Sequence, residues 1–207
     1  MVDAPRSRRE DYYRVLRAAL PARALAVTAL GNTSYLWNAM ADAPENFYLE
    51  DAMGLALPLA LGLAVAQPAR QVVVVEGDGG LLMHLGSLVT VGAVAPANLT
   101  VLLVDNGVHG ASGGQPLAGR ELDFAQLAKT SGFAETRRIG TAQELGPVLA
   151  EAFGGTGPWF LSLLTEPDLE LAVPARHLDP VTIRRRFMDG IGTRPYRPTL
   201  FGGGLGG

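Results

Sequence analysis

Residues 71–83 read Gln71-Val-Val-Val-Val-Glu-Gly-Asp-Gly-Gly-Leu-Leu-Met83. Four consecutive β-branched residues make both faces of this segment apolar, which marks a strand covered on both sides, as in the interior of a parallel sheet. Gly77 to Gly80 end the strand, and an apolar helix is predicted from Leu81 to about Val94. The pattern then repeats. Residues 99–104, Leu-Thr-Val-Leu-Leu-Val, form a second uniformly apolar strand, and it runs into the glycine-rich loop 105–116.

Working outward, residues 6–20 have helical spacing (Tyr13, Leu16, Leu20) and stop at Pro21. Residues 24–30 read as a buried strand, 46–49 as a short one, and 53–66 as a buried helix. Further helices are expected near 122–131, 142–153 and 180–189, with a last strand at 159–164. Strands alternating with helices predict an α/β fold: an open parallel sheet with helices on both faces. Residues 1–190 are expected to form one domain, and 191–207, ending Phe-Gly-Gly-Gly-Leu-Gly-Gly, a mobile tail.

Composition narrows the function. The 207 residues are 48% hydrophobic and 18% charged, so the chain is not a disordered one. It has no Cys, which excludes a disulfide scaffold, thiolate metal sites and a thiol nucleophile, and fits a reducing compartment. The net charge of −3 gives no field to attract nucleic acid or an anionic membrane. The apolar run from Leu55 to Ala66 is too short to span a bilayer, which takes about 20 residues. The polar N-terminus lacks the apolar core of a signal peptide. A cytoplasmic protein is expected.

In open parallel sheets ligands sit outside the carboxyl ends of the strands, where loops 77–80 and 105–114 both fall. No GxxxxGK[ST] occurs, and Leu82 stands where GxGxxG needs its third glycine. Gly-Asp and Asn-Gly are ordinary turn formers when met singly. At matching strand ends they suggest more. A carboxylate beside a phosphate repels it unless a cation lies between, so Asp78 and Asn106 are candidate Mg²⁺ ligands bridging to a phosphate.

These blocks, Gly-Asp-Gly (77–79) followed by Asp-Asn-Gly (105–107), resemble the thiamine diphosphate motif, GDG followed by NN. With residues 50–62, Asn-Gly-Val-His-Gly (106–110) and Ala-Ser-Gly-Gly-Gln-Pro (111–116), the pattern resembles the diphosphate-binding half of phosphonopyruvate and sulfopyruvate decarboxylases, over most of residues 24–190. The resemblance implies thiamine diphosphate and Mg²⁺ as cofactors, with Asp78, Asn106 and the Val108 carbonyl on the metal. It implies backbone contacts to the diphosphate from Gly79, Gly80, Leu81 and the Asn32-Thr33-Ser34 turn. Met53 matches the bulky residue that wedges under the cofactor. Position 51 usually carries a glycine-like residue whose carbonyl meets the aminopyrimidine, so Asp51 departs from the pattern, as do Gly80 for a common Ser and Asp105 for the first Asn. His109 and Gly110 fall in the loop beside the metal, and His109 is the candidate acid–base group. His84 reads as structural or as a neighbour of the site; His177 has no partner in view, and Arg120 is either an anion attractor or a solvated surface group.

The implied activity is non-oxidative decarboxylation of a 2-oxo acid to an aldehyde. In the family, the Glu that activates the aminopyrimidine comes from a separate pyrimidine-binding domain. The 23 residues before Ala24 cannot form one, so a two-component enzyme is expected, with a separate α subunit, as α₂β₂ or larger. The apolar helices 53–66 and 81–94 would help form that interface. An acyloin-forming carboligase uses the same cofactor chemistry and stays open, as does a non-catalytic regulatory subunit, which the Asp51 departure favours. Gly-Ala-Ser-Gly-Gly (110–114) also matches the serine-hydrolase GxSxG, with Asp123 or Asp168 and then His177 in chain order. Ser112, however, lies about seven residues past its strand instead of at the strand-to-helix turn.

Overall fold

The computed structural model describes residues 6–119, 121–167 and 179–193. In chain order the elements are α1 (Arg9–Ala19), β1 (Leu25–Thr28), α2 (Asn32–Ala41), β2 (Asn46–Tyr48), α3 (Ala56–Ala66), β3 (Val72–Gly77), α4 (Asp78–Met83) and α5 (Ser87–Val94). They continue with β4 (Leu99–Asp105), β5 (Val108–His109), β6 (Gln115–Pro116), α6 (Phe124–Thr130), β7 (Glu135–Ile139), α7 (Ala142–Gly154), β8 (Trp159–Leu164) and α8 (Pro180–Ile191).

Six strands form a fully parallel sheet in the order β2-β1-β3-β4-β8-β7. Val72 of β3 pairs with Leu25 on one side and with Leu99 on the other, so the valine run is central. Alternate side chains feed two cores. Val72 and Val74, with Leu25, Val27, Leu99 and Val101, pack under α3, α5 and α6 on one face. Val73 and Val75, with Ala26, Leu102 and Leu161, pack under α1, α2 and α7 on the other. The edges are β2, with three residues, and β7, whose Thr136, Arg137 and Arg138 keep it polar; short or charged edge strands resist pairing with other chains. From β1 the chain steps outward to β2, then back past β1 to β3. The order therefore reverses at β1 and β3, and a crevice opens above their carboxyl ends.

Several elements differ from the sequence reading. The apolar helix predicted over 81–94 begins at Asp78 and is broken at His84–Gly86 into α4 and α5; there the N–H groups of His84, Ser87 and Leu88 bond three residues back, to Leu81, His84 and Leu85. The helix expected from 53 begins at Ala56, which leaves Met53 in the preceding turn, 42% exposed. The Asn32-Thr33-Ser34 turn is the first turn of helix α2, whose buried Leu36 and Trp37 anchor it to the sheet. Strand β7 was not expected at all: Glu-Thr-Arg-Arg has no apolar alternation to reveal it. The tail residues 194–207, together with Arg120, Asp168 and His177, lie outside the described residues. Among the described residues no helix is long and apolar enough to cross a membrane.

Candidate cofactor site

The crevice holds a pocket of about 160 Å³. Ala29, Leu30, Asn32 and Thr33 line it from the β1–α2 connection, and Glu76 to Gly80 from the end of β3. Val104, Asn106, Val108, His109, Gly110 and Ser112 line it from β4 and its loop, Met53 from the turn before α3, and Arg9 from α1. Of the residues singled out from sequence, Asp78, Asn106, Val108, Gly79, Gly80, Asn32, Thr33, Met53, His109 and Gly110 meet around this space. Ser34, Asp51 and Leu81 do not line it. Ser34 Oγ instead donates to the Ala29 carbonyl (2.7 Å) and lies 2.8 Å from Thr28 Oγ1, which fixes the turn out of β1. Leu81 is part of the core under the sheet. Asp51 is exposed, with a left-handed backbone at φ 54°.

Asp78 organises the floor. Its Oδ1 accepts the Gly79 N–H and its Oδ2 accepts the Gly107 N–H, both at 2.7 Å, tying the end of β3 to the loop after β4. Gly107 reaches this position through a left-handed φ of 72°. Burial pushes the Asp78 carboxyl above the usual carboxylate range; the N–H groups of Gly107, Gly79 and Asn106 pull it down, while Asp105 pushes it up. Asn106 Oδ1 accepts the Val108 N–H at 3.1 Å, an Asx turn that carries the chain into β5. Val108 and His109 pair with Pro116 and Gln115 of β6 in a small hairpin over the pocket.

The donor set suits a hard divalent cation. A buried carboxylate, an amide oxygen and a backbone carbonyl are all oxygen ligands of the type Mg²⁺ takes. Each oxygen already accepting one N–H keeps a second lone pair. Among the described residues no group of three or more His, Asp or Glu could complete a protein-only metal cage. An ion here therefore draws its other ligands from a bound anion or water, and the residues fit a Mg²⁺-bridged diphosphate.

Glycines shape the walls. A Cβ at Gly79 would lie 2.7 Å from His109 Cε1 and Nδ1, so the imidazole rests directly on the Gly79 backbone. A Cβ at Gly54, where φ is 76°, would lie 2.5 Å from the Gly80 carbonyl oxygen, so the turn bearing Met53 rests on the β3–α4 loop. His84 caps α4 beside Gly54 and does not line the pocket.

Two charged residues at the pocket were not foreseen. Glu76 is 1% exposed; its Oε1 accepts the Gly77 N–H at 3.0 Å, and it faces the N–H groups of Ala56 and Leu57 in the first turn of α3. Burial pushes its carboxyl up to about 7. Arg9 is 5% exposed, and its Nη1 donates to Thr33 Oγ1 at 3.5 Å. The signal for Arg9 was present: Arg9, Tyr12, Tyr13 and Leu16 follow i, i+3, i+4, i+7 and are all buried, so the arginine occupies the inward stripe of α1.

Of the hydrolase pattern, Ser112 and Asp123 are described, while Asp168 and His177 lie outside the described residues. Ser112 is exposed and contacts Gln115 Oε1 (3.0 Å), and Asp123 caps α6 through the Gln126 N–H (2.9 Å).

Comparison with known proteins identifies the family and the fold. Residues 31–163 match the family described as thiamine pyrophosphate enzyme, C-terminal TPP binding domain. Phosphonopyruvate decarboxylase of Streptomyces hygroscopicus is 38% identical over 189 residues, covering 91% of this chain and 47% of that protein. Sulfopyruvate decarboxylase subunit beta of Methanothermobacter thermautotrophicus is 35% identical over 164 residues, covering 79% of this chain and 85% of that protein. The chain thus spans about half the length of the phosphonopyruvate decarboxylases it matches. In fold, benzoylformate decarboxylase from Polynucleobacter necessarius superposes with a TM-score of 0.70 at 21% identity, over 79% of this chain and 34% of that one. The chain belongs to the thiamine pyrophosphate enzyme family, of which it carries the C-terminal TPP-binding domain.

Proposed function

We propose that this chain is the diphosphate-binding (β) subunit of a two-component 2-oxo acid decarboxylase of the phosphonopyruvate and sulfopyruvate type, dependent on Mg²⁺ and thiamine diphosphate. The observation that carries this is the junction of Asp78, Gly79 and Gly107: one buried carboxylate draws both cofactor loops together over a single pocket. The two-component part is supported by the match across 85% of a protein named as a beta subunit.

When bound, thiamine diphosphate supplies the electron sink that lets a 2-oxo acid lose CO₂. The chain's residues position and protect it. Asp78, Asn106 and the Val108 carbonyl hold Mg²⁺. Backbone groups of the lining residues Gly79, Gly80, Asn32 and Thr33 would receive the diphosphate; of these the Gly79 N–H is already directed at Asp78. Met53, at the mouth, would pack against the cofactor with the Gly110 backbone beside it, while Asp51, expected there from the resemblance, is not among the lining residues. His109, resting on Gly79, holds on an imidazole nitrogen the proton that the product takes up.

The partner would be a pyrimidine-binding α subunit that brings the activating Glu, in an α₂β₂ or larger assembly. Exposed apolar side chains beside the pocket mouth and along α3 to α5 support such an interface: Met53, Leu55, Val65, Met83, Val89 and Val94 are 39 to 62% exposed. The test is co-expression with a candidate α subunit, followed by assay of phosphonopyruvate and sulfopyruvate with and without Mg²⁺ and thiamine diphosphate. Release of CO₂ and an aldehyde only with both cofactors and both subunits is expected. No cofactor-dependent CO₂ release from any 2-oxo acid would overturn the activity, and full-rate turnover by this chain alone would overturn the two-component arrangement.

A further inference from the structure

Resting on that reading, we propose that Arg9 is a fixed cationic contact for the diphosphate of the cofactor, contributed by the first helix. The pocket has a graded depth. Arg9, Thr33, Asp78, Val104 and Asn106 are buried, whereas Met53 and Ser112 at its mouth are exposed. Arg9 is therefore among the buried lining residues, as are Asp78 and Asn106, and it contacts Thr33 at the start of α2.

Charge balance gives this position its meaning. The pocket-lining carboxylates are Glu76 and Asp78, and among the described lining residues Arg9 is the one arginine or lysine. A diphosphate, a divalent cation and the Asp78 carboxylate together still carry net negative charge, and a buried anion is costly unless matched. The Arg9 guanidinium presents a planar set of N–H donors that suits phosphate oxygens, and Thr33 Oγ1 holds it beside the first turn of α2.

The test is calorimetric titration of the full chain with Mg²⁺ plus inorganic pyrophosphate, and with Mg²⁺ plus thiamine diphosphate, for the wild type, Arg9→Lys and Arg9→Met. Far-UV circular dichroism and urea unfolding without ligand report folding of each variant. For a charge-assisted contact, Arg9→Met should weaken both ligands by on the order of tenfold or more, with Arg9→Lys between Arg9→Met and the wild type. The salt dependence of binding should also become shallower in Arg9→Met. Wild-type affinity in folded Arg9→Met overturns the proposal and leaves the cofactor reading intact. Equal weakening in Arg9→Lys and Arg9→Met, with unchanged salt dependence, also overturns it and assigns Arg9 to holding Thr33. A wild-type chain, tested alone and with its partner, that binds neither ligand overturns the cofactor reading itself.

Discussion

Glu76→Gln should make the metal-free chain more stable relative to wild type as the pH rises. The Glu76 carboxyl has an ordinary value of 4.5 and is pushed up to about 7 in the folded chain, chiefly by burial. Its folded-state value is raised, so the folded chain holds the proton more tightly than the unfolded one between these limits. Stability from the protonated form is fully present below about 4.5 and lost as the pH climbs through about 7. At 1.36 kcal/mol per unit, and allowing for the part already lost at pH 5, the wild type loses roughly 2–3 kcal/mol through this group between pH 5 and pH 8. Gln cannot ionise and does not lose it. Gln also places an NH₂ group near the Ala56 and Leu57 N–H groups, a penalty independent of pH that cancels when the same variant is compared at two pH values. Asp78 and Asp105 carry the same direction of shift but are present in both proteins, so they largely cancel as well. The assay is urea unfolding in EDTA at pH 5 and pH 8. If the wild-type-minus-variant stability changes by less than about 1 kcal/mol between the two, Glu76 is not held as the structure shows.

Three other substitutions separate binding, positioning and packing. Asp78→Ala should abolish Mg²⁺-dependent binding of thiamine diphosphate in calorimetry while leaving the circular dichroism of the chain unchanged; binding that survives without Asp78 removes it from the metal site. Gly79→Ala places a methyl group 2.7 Å from His109 Cε1 and Nδ1, a side chain that can swing away. Turnover of the assembled enzyme should therefore fall while unfolding free energy changes by less than about 1 kcal/mol, and unchanged kcat would count against His109. Gly92→Ala drives a methyl group into the Ser131 carbonyl and to 3.0 Å from Gly132 Cα, and backbone cannot yield as a side chain does. The cost, roughly 1–3 kcal/mol or more, should exceed the gain of about 1 kcal/mol that Ala brings to a helix, as urea unfolding would show.

The sequence was most legible where burial is two-sided. Runs such as Val72–Val75 and 99–104 have no polar face to confuse the reading, and they lie in the centre of the sheet as their composition requires. The loops at their ends were legible for the same reason, because a strand end followed by glycine and a carboxylate has few structural uses. Legibility failed where tertiary contacts override local pattern. Strand β7 is held by β8 on one side only, so Arg137 and Arg138 remain solvated and give no period-two signal. Helix α2 opens on Asn-Thr-Ser, residues that favour turns in isolation, and only Leu36 and Trp37 packing on the sheet extends them into a helix. The break between α4 and α5 falls at His84–Gly86, where a single glycine is a weak local signal within a largely apolar stretch, and Gly54 packs against His84 there. Glu76 and Arg9 were overlooked because a single charge beside a strand or on a helix is usually solvated; their burial is a property of the assembled pocket.

The three departures from the resembled pattern have separate physical accounts that leave the proposed chemistry intact. Asp51 keeps the left-handed φ of 54° that a glycine-like residue would adopt, a conformation Asp tolerates better than most side chains. The contact assigned to position 51 is a backbone carbonyl, so what matters is that conformation and not the side chain, which points its charge into solvent. Asp105 has turned from the pocket: its Oδ2 accepts the Ser162 hydroxyl at 3.1 Å, and Asn106 alone of the pair lines the cavity. Gly80 is explained by Glu76, since a Cβ at position 80 would lie 2.5 Å from Glu76 Oε1 and 3.3 Å from the Gly54 nitrogen. The space that a serine side chain would enter is filled from below by a buried carboxyl and from above by the turn that carries Met53. Glu76, Gly80 and Gly54 thus form one packed unit in which a change at Gly80 presses on the other two, and Gly54 follows Met53 directly in the turn that lines the pocket.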